Sequence, residues 1–222
     1  MSGEAGVNEK PILFSAPMVR AILNVRPGVW PAEPIDPDKP WKWQTRRVIK
    51  PQPILVDGKT WTWPCDGRES KASWGVDVHP VECMSRFCPY GPPGTRLWVR
   101  ETWAYSSDWD HYNQLSPKEP YLYRSTYPDA PVSKWRPSIF MPRWASRILL
   151  EVKAVRVERV QDISEEDAQA EGAERMHIDD LGQSFKTYRR GFESLWDSIN
   201  AKLGCGWDKN PWVWVIEFGR LA

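Results

Sequence analysis

Hydrophobic and polar positions recur along this chain in runs that predict a sheet-rich body carrying a few short helices. Residues 96–105 (RLWVRETWAY) alternate Leu97, Val99 and Glu101 with Trp98, Arg100 and Thr102, which suits one strand with a single buried face. Residues 149–160 are its expected partner, where imperfect alternation points to a bulge. Residues 212–218 are apolar and β-branched and predict a terminal strand well inside a sheet. Shorter runs at 12–14 and 45–49 predict two further strands, and 54–56, Asp57-Gly58 and 60–63 have the form of a hairpin.

Helical spacing appears in three places. Ser15 is placed to cap a helix with Met18, Ala21, Ile22 and Leu23 on one stripe. Ser164 precedes Glu165-Glu166-Asp167, acidic residues that complement the positive end of a helix ending near Gly172. Residues 186–202 set Phe192, Leu195, Trp196 and Ile199 on one face, with Gly204 near the end. Pro27, Pro31, Pro34, Pro37 and Pro40 make 25–40 a long loop, and about 64–93 reads as a loop-rich insert. A single α+β domain is the simplest architecture for this order of elements.

Composition narrows the function classes. With 222 residues, 41% hydrophobic and 27% charged, the chain can bury a substantial core. A net charge of +1 excludes global attraction to a polyanion and leaves only a local patch. The sequence carries no apolar signal core and no run of membrane-span length, so the expectation is a cytoplasmic protein without a membrane partner; no protein partner is indicated. Fifteen Trp and 21 Pro favour strands, turns and stacking surfaces over long helices. Core filling is the ordinary role of a Trp; Trp41, Trp43 and Trp135, beside cations and prolines, are the candidates for recognition.

Trp41-Lys42-Trp43-Gln44-Thr45-Arg46-Arg47 concentrates the chemistry, with an amine, a hydroxyl and two guanidiniums beside two indoles. Indoles stack on a base, Arg46 and Arg47 grip phosphate by charge-assisted forks, and Lys42 with Thr45 can form a base and nucleophile pair. The competing reading is a surface strand whose cations lie in water. Cys65, His79, Cys83 and Cys88 could supply four zinc ligands, but no C-x-x-C knuckle is present and free thiols are the simpler reading. The only histidines are His79, His111 and His177, none in a recognisable acid-base couple.

The segments CPYGPPGTRLWVRETW (88–103), KWRPSIFMPRWASRILLEV (134–152), ISEEDAQAEG (163–172), LWDSIN (195–200) and NPWVWVIEF (210–218), taken in order, resemble phage- and prophage-encoded ASCH-domain proteins. The resemblance implies a PUA-like β-barrel, a fold whose relatives bind RNA or handle modified nucleosides, and for a phage-encoded chain a bacterial host cell. One branch of that group is an amidohydrolase that removes the acetyl group of 4-acetylcytidine with a Lys, a Thr three residues later and a Glu. Lys42, Thr45 and Glu171 stand at the corresponding places. The resemblance then implies that Thr45 attacks the amide carbonyl, Lys42 takes its proton, and Glu171 orients the amine or passes a proton to the leaving nitrogen. No cofactor is implied. This chain departs from the pattern in its Pro-rich approach and in Trp43, where Thr is usual.

Burial among indoles and repulsion from Arg46 and Arg47 would favour a neutral Lys42, whereas Glu171 would favour its cation. Glu171 near the end of a Glu-rich helix could equally be a solvated carboxylate. Arg100, Arg136, Arg143 and Arg147 extend a possible anion surface, and Arg143 and Arg147 would share a face if 143–147 were helical. Ion pairs with Glu101 or Glu151 are the alternative for them. The functional alternatives to nucleoside amidohydrolysis are a non-catalytic RNA-binding module and, with less support, a ribonuclease.

Overall fold

The computed structural model describes residues 8–26, 28, 33–36, 38–56, 60–64, 71–75, 87–106, 120–177 and 186–221. Its elements run β1 (Glu9–Leu13), α1 (Ala16–Leu23), β2 (Gln44–Val48), β3 (Ile54–Val56), β4 (Thr60–Pro64), β5 (Lys71–Gly75), β6 (Arg96–Arg100), β7 (Trp103–Tyr105), β8 (Tyr121–Tyr123), β9 (Leu149–Arg159), α2 (Glu165–Ala170), β10 (Met176–His177), β11 (Lys186–Thr187), α3 (Tyr188–Asn200) and β12 (Trp212–Arg220). The fold is α+β with most of its core in sheet, as the hydrophobic pattern predicts. The chain divides into two compact units: Met1–Lys42 with Gly94–Glu151 and Gly219–Ala222, and Trp43–Pro93 with Val152–Phe218.

In the first unit β1 pairs parallel with β6, from Glu9↔Arg96 to Leu13↔Arg100, and β6 pairs antiparallel with the start of β9, from Arg96↔Glu151 to Trp98↔Leu149. The 96–105 run is not one strand. It breaks at Glu101-Thr102, and β7 pairs instead with β8, Trp103 opposite Tyr123. Two interactions account for the break: the buried Glu101 carboxylate is drawn to Arg147, and the Trp103 backbone exchanges hydrogen bonds with Arg136 at 3.2 and 2.8 Å. Ser15 occupies the N-cap of α1 in extended conformation, but its side chain makes no capping bond. Val19, Ala21 and Ile22 form the buried face of α1, with Met18 and Leu23 at its margins. The 25–40 segment is loop where described, with one isolated bridge between Val25 and Pro34; Pro27, Pro31 and Pro37 lie outside the described residues.

In the second unit β2 pairs antiparallel with β12, from Val213↔Val48 to Glu217↔Gln44. The hairpin of β3 and β4 forms, from Ile54↔Thr62 to Val56↔Thr60, with 57–59 lying outside the described residues. The insert after it is not all loop, because β5 adds a third antiparallel strand to β4. Its short, mixed sequence KASWG carries too little periodicity to show a strand. Ser164 caps α2, its side chain accepting from the Asp167 N–H at 3.0 Å. Helix α3 starts at Tyr188, two residues later than expected, because 186–187 pair with β10 and Thr187 caps the helix. Val160, Ile163, Ala168, Phe192, Trp196, Trp207, Val213 and Val215 pack into this unit's core, each large side chain contributing roughly 1.5–3 kcal/mol. Gly191 allows that packing: a Cβ there would lie 1.7 Å from the Glu174 carbonyl oxygen.

Candidate functional site

The 41–47 segment is not a solvated surface strand. Lys42, Gln44, Thr45 and Arg46 are buried, with Lys42 only 1% exposed, and Trp41, Trp43 and Arg47 are half-buried. Lys, Glu and Arg are almost never fully buried unless paired, so the burial of Lys42, Arg46 and Glu171 demands a reason.

In the second unit the reason for Arg46 is a network of carboxylates. One Arg46 nitrogen, Nη2, donates to Asp167 at 2.8 Å and to Glu158 at 2.9 Å, while Nη1 reaches Glu171 Oε1 at 3.4 Å. Arg156 donates to Asp167 at 2.7 Å and also bonds Glu158 and Glu217. Gln44, with its amide oriented to satisfy both ends, donates to Asp167 Oδ1 at 3.2 Å and accepts from Arg46 Nη1 at 2.6 Å. Two guanidiniums thus face four carboxylates, an acidic excess in a largely buried place. Burial pushes the Asp167 carboxyl up, but the hydrogen bond and charge of Arg46, with those of Arg156, outweigh it and hold Asp167 below its ordinary value. For Arg156, burial acts downward, and Glu158, Asp167 and Glu217 together raise it. Arg46 Nε has no hydrogen-bond partner among the described residues, and the guanidinium lies 5.9 Å from the Phe192 ring centre. Arg46 is therefore engaged by protein anions rather than presented to a phosphate.

Strand alternation separates the neighbours of this network. Gln44 and Arg46 share the face that meets Asp167, so Thr45 projects to the other face of β2. Thr45 lies opposite Ile216 and is 2% exposed. Glu171, the C-cap of α2, is 4% exposed, which removes the solvated-carboxylate reading. The Trp43 N–H donates to the Ala170 carbonyl at 3.1 Å and the Trp43 carbonyl accepts from the Phe218 N–H at 2.9 Å, tying the entry of β2 to the end of α2 and to β12.

Lys42 belongs to the first unit, where its N–H donates to the Ala21 carbonyl at 3.0 Å and its ammonium nitrogen lies 5.8 Å from the Phe14 ring centre. In that unit Arg147 grips the buried Glu101 with two bonds, at 2.9 and 3.2 Å, and donates to Ser125 and Thr126 hydroxyls at 2.9 Å each. Its guanidinium stacks 4.0 Å over Tyr123. Residues 143–145 form a single 3-10 turn, not a helix reaching Arg147, and Arg143 pairs instead with Glu9 at 2.6 Å. The shared phosphate grip of Arg143 and Arg147 is thereby replaced by two separate ion pairs. Arg100 donates to the Ile139 carbonyl at 3.2 Å, and Arg136 lies over Tyr105 at 4.5 Å. Trp135 is half-buried.

Of the zinc candidates, Cys88 is buried, and Cys65, His79 and Cys83 lie outside the described residues, as do His111 and the His177 side chain. Among the described residues no His, Cys, Asp and Glu side chains gather as a metal site. Sequence reasoning missed Arg156, Glu158 and Glu217. Arg156 and Glu158 stand two apart on β9, a spacing that puts both on one face and could have marked them. No protein-family model, curated protein or solved structure matches the chain. Among the described residues, no helix is long and apolar enough to cross a membrane.

Proposed function

We propose that this chain is an ASCH-type domain of PUA-like barrel fold that hydrolyses the acyl amide of a 4-acetylcytidine-like nucleoside. The observation that carries the reading is the burial of three reactive side chains at the spacing the resemblance requires: Lys42, Thr45 and Glu171, at 1, 2 and 4% exposure. A surface strand or a non-catalytic RNA patch would need none of them buried, whereas an amine and a hydroxyl withheld from water suit proton transfer and nucleophilic attack.

In the proposed reaction Thr45 Oγ attacks the amide carbonyl carbon and its proton passes to the Lys42 amine. The tetrahedral species collapses with cleavage of the C–N bond, the proton going to the departing exocyclic nitrogen to give cytidine. Water then hydrolyses the Thr45 ester, releasing acetate and restoring the hydroxyl. Arg46 holds the Glu171 carboxylate through the 3.4 Å contact, and the resemblance gives Glu171 a supporting part in the proton transfer. Half-buried Trp41 and Trp43 supply rings on which a pyrimidine can stack.

The test is chromatographic detection of cytidine from 4-acetylcytidine with wild type, Lys42→Met and Glu171→Gln, each checked for folding by thermal midpoint. Wild type should release cytidine; folded Lys42→Met should fall to background; Glu171→Gln should retain partial activity with a displaced pH profile. Absence of wild-type turnover, or full turnover in Lys42→Met, overturns the proposal.

A further inference from the structure

Two exposed features of the first unit take no part in the chemistry proposed above, and they complement each other. The first is an apolar seat. Ile139, Phe140 and Trp144 are 57, 73 and 59% exposed, on consecutive 3-10 turns separated by Met141-Pro142. Both turns are held from beneath: the Trp144 ring stands edge-on to buried Trp103 at 5.8 Å and tilted against Tyr121 at 5.2 Å, and the Ile139 carbonyl accepts from Arg100 at 3.2 Å. Groups already fixed lose little freedom when they are covered. Arg143 lies between Phe140 and Trp144 in sequence, with a 44% exposed side chain paired to Glu9, and residues 134–144 carry Lys134, Arg136 and Arg143 but no acid.

The second feature is an acidic knob in the proline-punctuated loop. Ile35 is 56% exposed between Pro34 and Asp36, and Glu33 and Asp38 beside it are exposed. Asn24 clamps the backbone there. Its side chain donates to the Asp36 carbonyl at 2.9 Å and accepts from the Asp36 N–H at 3.0 Å, while its own carbonyl accepts from the Ile35 N–H at 2.7 Å. Ile35 is therefore presented in advance of any contact, which lowers the ordering cost of binding. Glu33 and Asp36 pair with exposed Arg26 and Lys39 at 3.9 and 3.0 Å, contacts worth little in water and open to exchange.

A lone exposed isoleucine needs no explanation, but three large apolar side chains together on a fixed mount form a patch. Interfaces place apolar and aromatic side chains at the centre and charge at the rim. Seat and knob both have that form, with rims of opposite sign. Both are exposed in the same structure, so they do not cover each other within one chain. A small or polymeric anion could meet Arg143 but would leave the three apolar side chains uncovered; a second copy supplies an acid rim and an apolar knob together.

We propose that the first unit docks on a second copy of the chain, Ile35 of one copy seating among Ile139, Phe140 and Trp144 of the next while Arg143 exchanges Glu9 for Glu33 or Asp38. Knob and seat are different patches, so the contact is heterologous. It does not depend on the catalytic reading.

Sedimentation velocity on the full chain tests it, with wild type, Ile35→Ser and Phe140→Ser at low and high salt. Both substituted side chains are exposed, and a thermal midpoint checks that each variant is folded. Wild type should self-associate reversibly as its concentration rises at low salt and dissociate in part at high salt. Each variant alone should associate about tenfold more weakly or less still. Ile35→Ser keeps the seat and Phe140→Ser keeps the knob, so mixing them should give a one-to-one complex that neither forms alone. A wild type that stays monomeric, association unchanged in either variant, or folded variants that fail to pair when mixed would overturn the proposal. Association lost in Phe140→Ser but kept in Ile35→Ser would also overturn it, since the apolar seat would then meet its own copy.

Discussion

Arg46 Nη2 donates to Asp167 Oδ2 at 2.8 Å from a side chain wholly withdrawn from water, joining strand β2 to helix α2. Removing the guanidinium withdraws a buried cation from Asp167 and Glu158, which keep Arg156, and from Glu171. Arg46→Met should therefore cost about 3–5 kcal/mol of unfolding free energy, as is usual when one partner of a buried ion pair is deleted. Glu158→Gln, at a position 24% exposed, should cost clearly less. Urea denaturation of both variants checks the order, and equal small losses would show that the network does not hold this unit together.

The same network sets an acid limit on stability. Asp167 is held below its ordinary value in the folded state, so its contribution is fully present above the unfolded carboxyl range and is lost as pH falls through the folded value. The thermal midpoint should decline as pH drops below about 4, the unfolded Asp range. Asp167→Asn should lower the midpoint at neutral pH and flatten that acid decline. A parallel decline in the variant would remove Asp167 as its source.

Two arginines of the first unit make a contrasting pair. Arg147 holds Glu101, which is 1% exposed, whereas Arg143 holds Glu9 near open water. Glu101→Ala should destabilise by about 3–5 kcal/mol because it strands a partly buried guanidinium and the Ser125 hydroxyl. Glu9→Ala should change stability by less than about 1 kcal/mol. Denaturant midpoints give both numbers, and comparable losses would mean that exposure does not govern these pairs.

At the start of α2, Ser164 accepts from the Asp167 N–H at 3.0 Å. Ser164→Ala should cost about 1 kcal/mol, the usual worth of an N-cap. The cost should fall on the second unit and be readable as faster amide hydrogen exchange at Ala168 and Ala170, which are buried in that helix. Unchanged exchange there would show that tertiary packing alone fixes the helix.

The sequence made the apolar elements legible because one face of each is buried in sheet or against it. Val213, Trp214, Val215 and Ile216 read as a strand inside a sheet and lie buried in β12. Phe192 and Trp196 read as one helix face and occupy the second unit's core. Alternation failed where polar partners set the path: Glu101, drawn to Arg147, interrupts what reads as a continuous strand, and β5 has too little pattern to announce itself. At the site, the residue types of 41–47 were legible but their partners were not. Arg46 reads as a phosphate ligand until Asp167, Glu158 and Glu171, more than a hundred positions away, are seen to engage it. Ion pairs across such separations carry no local periodicity.

The proposed hydrolysis turns on the Thr45 hydroxyl. Under steady turnover of 4-acetylcytidine, Thr45→Ala with a wild-type thermal midpoint should release no cytidine above background, and Thr45→Ser should retain measurable release because its hydroxyl remains. Cytidine formed at the wild-type rate by folded Thr45→Ala would contradict the central claim.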